Sequence, residues 1–129
     1  MKIAALISRI LLGLMFVVFG LNGLHPFIPM KGAPPMPEHA MQFVGALMAT
    51  PYMHVIAALQ VLGGLLVLIG RYTILGLVIL GPILFNILCF HIFFGAPGLA
   101  PGAFGTVLWF VCFLYYFKHF SSVFAAKPE

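Results

Sequence analysis

A small set of polar side chains interrupts otherwise apolar stretches of this sequence, and their types could serve ligand chemistry. The set consists of Asn22, His54, Gln60, Asn86 and His91. Amide groups donate and accept hydrogen bonds, and a neutral imidazole does both at once. A polar side chain without a partner is costly in an apolar setting. The set therefore predicts either hydrogen bonds between helices or a site for the polar head of a small molecule.

Trp109, the single tryptophan of the chain, is expected near the same level as these groups. With neighbouring phenylalanines it would form the apolar wall of such a site. The sequence contains two acidic residues, Glu38 and Glu129. Paired-carboxylate catalysis and a carboxylate relay through a membrane both need more carboxylates within the spans. This excludes most hydrolases and many transporters, and leaves open whether any reaction is catalysed.

Methionines and histidines between residues 25 and 54 suggest a second chemistry. The methionines of this region are Met30, Met36, Met41, Met48 and Met53. Thioether and imidazole ligands suit copper(I), and a haem or copper site that uses His54 and His91 is a related alternative. Methionine is also a common filler of apolar surface, and no tight Met-x-x-Met repeat is present. Metal binding therefore ranks behind binding of an organic molecule.

Four apolar runs would position these residues. They cover 3–24, 52–70, 73–94 and 105–120 of a 129-residue chain that is 64% hydrophobic and 6% charged. Each run is long enough, or nearly so, to cross the roughly 30 Å hydrocarbon core of a bilayer as a helix. The sequence predicts an all-α, polytopic membrane protein, with residues 1–129 forming one four-transmembrane-helix bundle in the lipid bilayer.

The segment 26–51 is the long connection of the predicted bundle. Prolines exclude a helix from its first part, whereas 38–50 is predicted to form a short helix between Pro37 and Pro51. Apolar residues recur in it at helical spacing: Met41, Val44, Gly45 and Met48. We expect an interfacial helix on the outer membrane face, after the first spanning helix and before the second.

Basic residues predict the orientation. Most of them fall at one side of the predicted bundle: Lys2, Arg9, Arg71, Lys118 and Lys127. The positive-inside rule places this side, with both termini, in the cytoplasm of a bacterium, and Lys31 and Glu38 on the periplasmic face of the inner membrane. A net charge of +4 is too thinly spread to indicate nucleic acid. Cys89 and Cys112 lack CxxC spacing and are interpreted as packing residues.

Three stretches resemble a known family of membrane proteins. They are RILLGLMFVVFGLNG at 9–23, LQVLGGLLVLIGR at 59–71 and PILFNILCFH at 82–91. In this order, over about the whole chain, they are similar to the DoxX-like proteins, and Asn22–Gly23 and Asn86–His91 match best. Relatives often carry an acidic residue where this chain has Gln60. The resemblance implies a four-helix membrane bundle and a quinone-linked redox setting, since members are often labelled quinol-oxidase subunits.

The residues and the resemblance together predict a protein that binds a quinone-like molecule in an outer-leaflet pocket. Asn86 and His91 would bond its polar head, Asn22 and Gln60 would complete the polar layer with His54 nearby, and Trp109 would form the wall. A membrane or periplasmic redox partner and a homo-oligomer are compatible with this function. The alternative is a non-catalytic membrane scaffold, in which the same polar groups hold the helices together.

Overall fold

The computed structural model describes residues 1–27 and 34–127, and this part of the chain is helical and contains no strand. Its helices are α1 (Lys2–Leu24), α2 (Glu38–Met48), α3 (Tyr52–Ile69), α4 (Thr73–Phe93) and α5 (Leu99–Tyr115). Two short 3₁₀ turns follow, Phe117–His119 and Ser121–Phe124. The all-α prediction is confirmed. Met30, Lys31 and Glu129, which entered the sequence-based predictions, lie outside the described residues.

Three of these helices are long and apolar enough to cross a membrane: α1, α3 and α4. The fourth candidate, α5, is apolar but has 17 residues, or about 25 Å at 1.5 Å per residue. Large apolar side chains cover the outer surface of the bundle, among them Val55, Phe85 and Val107. Such a surface suits lipid rather than water. Length and composition therefore indicate a membrane protein.

The four long helices form a closed ring. α1 packs against α3 and α5, and α4 packs against the same two helices. The ring encloses an apolar core to which all four contribute, formed by Leu12, Phe16, Val67, Leu77, Leu80, Leu84, Leu108 and Cys112. Near the chain's N-terminus, the thiol of Cys112 on α5 lies 3.9 Å from the Ala5 carbonyl oxygen on α1. Cys89 and Cys112 are both free thiols.

Glycines bring α1 and α3 into backbone contact. A Cβ atom added at Gly13 would lie 2.7 Å from the Cβ of Leu68, and one added at Gly64 would lie 2.9 Å from the backbone nitrogen of Val17. Both distances are shorter than van der Waals contact. Small residues allow such close approach, which lets helices associate by packing where no hydrophobic effect drives them together.

The turn between α3 and α4 is tied to α1. α3 ends at Ile69, and the capping residue that follows is Gly70, whose φ of 82° is left-handed and suits glycine. Arg9 of α1 donates from Nη1 to the carbonyl oxygens of Val67 and Leu68, at 2.9 and 3.1 Å. These carbonyls belong to the last turn of α3 and lack partners within their own helix. Arg9 therefore caps α3 from the neighbouring helix.

α5 begins at Leu99, six residues before the predicted span 105–120, and it ends at Tyr115 rather than at 120. Pro101 falls in its first turn, where a missing N–H removes no helical hydrogen bond. Gly98, with a φ of 100°, provides the left-handed residue that reverses the chain ahead of the helix. The connection between α4 and α5 is consequently shorter than the sequence predicted.

α2 lies against the ends of α3 and α4 that are distal to Arg9. Its Phe43 ring packs at 5.7 Å from Phe90 and 5.2 Å from Phe94, and Ala40 is fully buried. Met41 and Met48, of the predicted apolar stripe, are exposed instead. The short helix therefore has apolar residues on two sides, one against the bundle and one facing outward.

Candidate functional site

Two regions could hold a ligand, and the first is the end of the bundle at which α2 lies. Asn22 is partly buried at the last turn of α1. Its Oδ1 accepts a hydrogen bond from the backbone N–H of Phe27, at 2.9 Å. This bond folds the chain back just after the helix. At least part of the hydrogen-bonding capacity of Asn22 thus serves the local turn.

Gln60 and Asn86 are not hydrogen-bonded to each other. The exposed Asn86 donates from Nδ2 to the carbonyl oxygen of Pro82 in its own helix, at 2.9 Å. Gln60 is partly buried and lies one turn from Gly63 and Gly64, on the face of α3 that α1 and α4 share. Among residues 1–27 and 34–127 its side chain makes no hydrogen bond. The two amides therefore act separately.

His91 organises the connection to α5. Its Nδ1 lies 3.2 Å from the carbonyl oxygen of Ala96, and its ring also contacts the position of Gly98. A carbonyl oxygen can only accept, so this contact requires a hydrogen on Nδ1, and in the neutral imidazole Nε2 is then an acceptor. His54 is exposed in the first turn of α3. This end of the bundle thus presents one oriented imidazole, partly buried, rather than a closed polar layer.

The second region is a cleft of about 450 Å³ between α4 and α5. Twelve residues line it: Leu77, Val78, Gly81, Pro82, Leu84, Phe85, Leu88, Thr106, Trp109, Phe110, Phe113 and Phe120. Its volume lies within the range of small-molecule sites. Val78, Phe85 and Phe110 are exposed, so the cleft opens sideways toward the surrounding lipid. A ligand could enter it from within the membrane.

Trp109 forms one wall of the cleft and is fixed there. Its indole Nε1 donates to the carbonyl oxygen of Leu77, at 2.9 Å, and its ring stacks on Phe113 with centroids 5.1 Å apart. A Cβ added at Gly81 would lie 3.1 Å from the indole, so glycine leaves the room that the ring needs. The indole therefore offers the cleft an aromatic surface and no free donor.

The other polar group of the cleft is also occupied. Thr106 donates from its hydroxyl to the carbonyl oxygen of Gly102, at 2.8 Å, one turn earlier in α5. With this donor and the indole N–H both bonded to protein, the described lining presents aliphatic and aromatic carbon to a guest. Burial of apolar surface is then the interaction that the cleft can provide.

Of the six predicted site residues, Trp109 alone is found in the cleft lining, as far as the described residues show. Asn22, Asn86 and His91 bond to nearby backbone, and no bond among the five polar residues joins them into one layer. Beyond Trp109 and its neighbouring phenylalanines, the sequence analysis predicted no part of the cleft, and it missed Gly81. Its lining has the same composition as ordinary helix-packing surface, so periodicity and residue type carry no distinguishing signal.

No group of three histidine, cysteine or acidic side chains that could hold a metal ion occurs in residues 1–27 and 34–127.

Comparison of the chain with models of protein families, with curated proteins and with solved structures found no match.

Proposed function

We propose that this protein binds an apolar redox molecule of the membrane, of the quinone class, in the cleft between α4 and α5. The observation that carries the proposal is the lining: apolar, partly aromatic, open to lipid, and with both of its polar donors already bonded. A quinone with an isoprenoid tail has a large apolar part that matches such a lining. The DoxX-like resemblance supports the same class of ligand.

His91 would receive the polar head. Leu88 is the last cleft residue along α4, and His91 follows it by three residues, or about 4.5 Å toward the outer end. Because its Nδ1–H is held by Ala96, Nε2 would accept a hydrogen bond from a hydroquinone hydroxyl. Asn22, Gln60 and Asn86 then contribute to helix ends and packing more than to the ligand.

The single tryptophan allows a direct test of the cleft. Titration of the detergent-solubilised protein with a short-chain quinone should quench Trp109 fluorescence to saturation. Val78→Phe fills the cleft from an exposed position and should weaken binding about tenfold, or by about 1.4 kcal/mol. Val107→Phe makes the same change at an exposed position of α5 outside the cleft and should bind as wild type. Equal effects of the two variants would refute the site.

Two substitutions separate the structural role of His91 from its proposed ligand role. In His91→Asn the side-chain amide can take the place of Nδ1 and keep the bond to Ala96, but nothing replaces Nε2. His91→Gln places its amide near the position of Nε2. We expect His91→Asn to keep wild-type stability and lose affinity for the hydroquinone, and His91→Gln to do the reverse. If His91→Asn retains full affinity for the hydroquinone, the polar head of the ligand does not bind at His91.

The four-span bundle and its orientation belong to this proposal. α1, α3, α4 and the shorter α5 would each cross a bacterial inner membrane, with both termini in the cytoplasm. Single cysteines in place of Gln42 and Arg71, in a background without Cys89 and Cys112, test this on intact cells. A membrane-impermeant thiol reagent should label position 42 and spare position 71. The opposite pattern would reverse the topology.

A scaffold without a ligand is the competing function, and the same titration separates the two. Protein that folds as wild type but neither co-purifies with quinone nor shows saturable quenching would act by contact with a membrane or periplasmic partner. Mass spectrometry of lipid extracts from mildly solubilised protein gives the second measurement, because it also detects haem or another resident molecule.

A further inference from the structure

A second cavity, of about 210 Å³, lies at the end of the bundle away from α2. It is formed where α1 begins, where α3 ends and where α5 ends, and its lining consists of Lys2, Ala5, Leu6, Arg9, Gly70, Tyr115 and Tyr116. In contrast to the cleft between α4 and α5, this lining brings together two cationic side chains and two phenols. Its chemistry is that of an anion site.

Arg9 is held in place by two hydrogen bonds and has further N–H donors. Nη1 alone makes both bonds to the carbonyls of Val67 and Leu68. A guanidinium has five N–H donors, and within residues 1–27 and 34–127 the remaining ones, on Nη2 and Nε, have no protein acceptor. Gly70 leaves the space that the guanidinium occupies, because a Cβ there would collide with Nη1. The charge is therefore oriented by the protein and not neutralised by it.

No carboxylate compensates these cations in the described part of the chain. Glu38 is the one acidic residue described, and it belongs to α2 at the opposite end of the bundle. Lys2 adds a second positive charge to the cavity, seven residues or about 10 Å along α1 from Arg9. The cavity thus carries two uncompensated positive charges, one near the helix end and one deeper.

We propose that this cavity binds the phosphate headgroup of an anionic phospholipid from the adjacent leaflet. Arg9 would donate to phosphate oxygens from its free nitrogens, Lys2 would add charge, and the hydroxyls of Tyr115 and Tyr116 would donate hydrogen bonds. Leu6, which is 47% exposed, continues the lining toward lipid and would contact the start of an acyl chain. Basic pockets between spanning helices suit such headgroups.

Native mass spectrometry of protein released from mixed micelles tests the site. With equal amounts of phosphatidylglycerol and phosphatidylcholine, wild-type protein should retain mainly phosphatidylglycerol. Lys2→Gln should lower its retention about fivefold, the factor expected for one basic residue at a membrane surface. Lys118→Gln removes the same charge from an exposed residue at the same end, outside the cavity, and should leave retention unchanged.

Equal losses in the two lysine variants would overturn the proposal, since the attraction would then be a property of the whole basic face. Equal retention of both lipids by the wild type would also overturn it. Tyr116→Phe, which keeps the ring, should lower phosphatidylglycerol retention while thermal stability stays constant.

Free glycerol phosphate provides the remaining comparison. It should compete weakly, because it lacks the acyl chain that Leu6 contacts. Full displacement of lipid at equal concentration would assign the cavity to a soluble phosphate and reject the lipid. Quenching of Trp109 by quinone should be the same in all of these variants, which keeps this inference separate from the proposed function.

Discussion

The indole nitrogen of Trp109 lies 2.9 Å from the carbonyl oxygen of Leu77, and this hydrogen bond joins α5 to α4. It is made beside Pro82, which has no N–H to give to the carbonyl of Val78 in the usual helical bond. Gly81 provides the space for the ring. The same contact that holds the two helices together therefore shapes the wall of the cleft.

Replacement of Trp109 by phenylalanine should weaken the bundle. The ring can still stack on Phe113, but the donor to Leu77 is lost. Interhelical hydrogen bonds in membranes contribute about 0.6 kcal/mol and at most about 1.7 kcal/mol, and we expect a loss of unfolding free energy in this range in mixed micelles. Tyr52→Phe is the control, because that exposed hydroxyl makes no hydrogen bond within the described residues. A loss as large in the control would show that the bond contributes nothing specific.

The contact between α1 and α3 should not tolerate a methyl group. Gly13→Ala and Gly64→Ala each place a Cβ within 3 Å of the facing helix. Overpacking of this kind costs about 1–3 kcal/mol. Gly45→Ala makes the same change in α2, where nothing lies within 4 Å, and should be neutral or raise stability by up to about 1 kcal/mol. Similar thermal unfolding of all three variants would contradict the close packing.

Arg9 and Gly70 should be energetically coupled. Arg9→Met leaves two carbonyls of α3 without their donor, at a cost of about 1–3 kcal/mol. Gly70→Ala forces a left-handed alanine, at about 1–2 kcal/mol, and displaces the guanidinium as well. In the double variant there is no guanidinium to displace, so that part of the cost of Gly70→Ala disappears. The summed single effects should therefore exceed the double-variant effect by at least about 0.5 kcal/mol; strict additivity would mean that the cap is not formed.

Gln60 and Asn86 should behave as independent sites. Asn86 bonds to Pro82 in its own helix, and the Gln60 side chain bonds to neither of these residues. Gln60→Leu and Asn86→Leu therefore remove no shared interaction. Their effects on unfolding free energy should add to within about 0.5 kcal/mol. A coupling above about 1 kcal/mol would show that the two amides meet across the helices.

Hydropathy predicted the helices well because a bilayer restricts the backbone conformations that an apolar segment can adopt. A run of apolar residues that must satisfy its own backbone becomes a helix, and α1, α3 and α4 agree with the predicted bounds to within one residue. The start of α5 was harder to predict, since Pro101 and Gly102 resemble a loop in sequence but are compatible with a first helical turn.

Three of the polar residues were harder to interpret because each has a backbone partner within reach. Asn22 bonds to an amide five residues on, Asn86 to a carbonyl four residues back, and His91 to a carbonyl five residues on. Depth along a helix follows from residue number, but the choice between a local and an interhelical partner depends on helix rotation and rotamer. A single sequence does not contain that information.

The closed ring of helices has a consequence for biogenesis. The first helix, α1, packs against the last, α5, and Met15 of α1 meets Gly105 of α5. While the ribosome is still making the second half of the chain, α1, α3 and α4 can associate, but the faces of α1 and α4 that α5 will cover remain open to lipid. The bundle thus closes only once α5 is in place, and a chain stopped after Phe94 would leave these two helix faces uncovered.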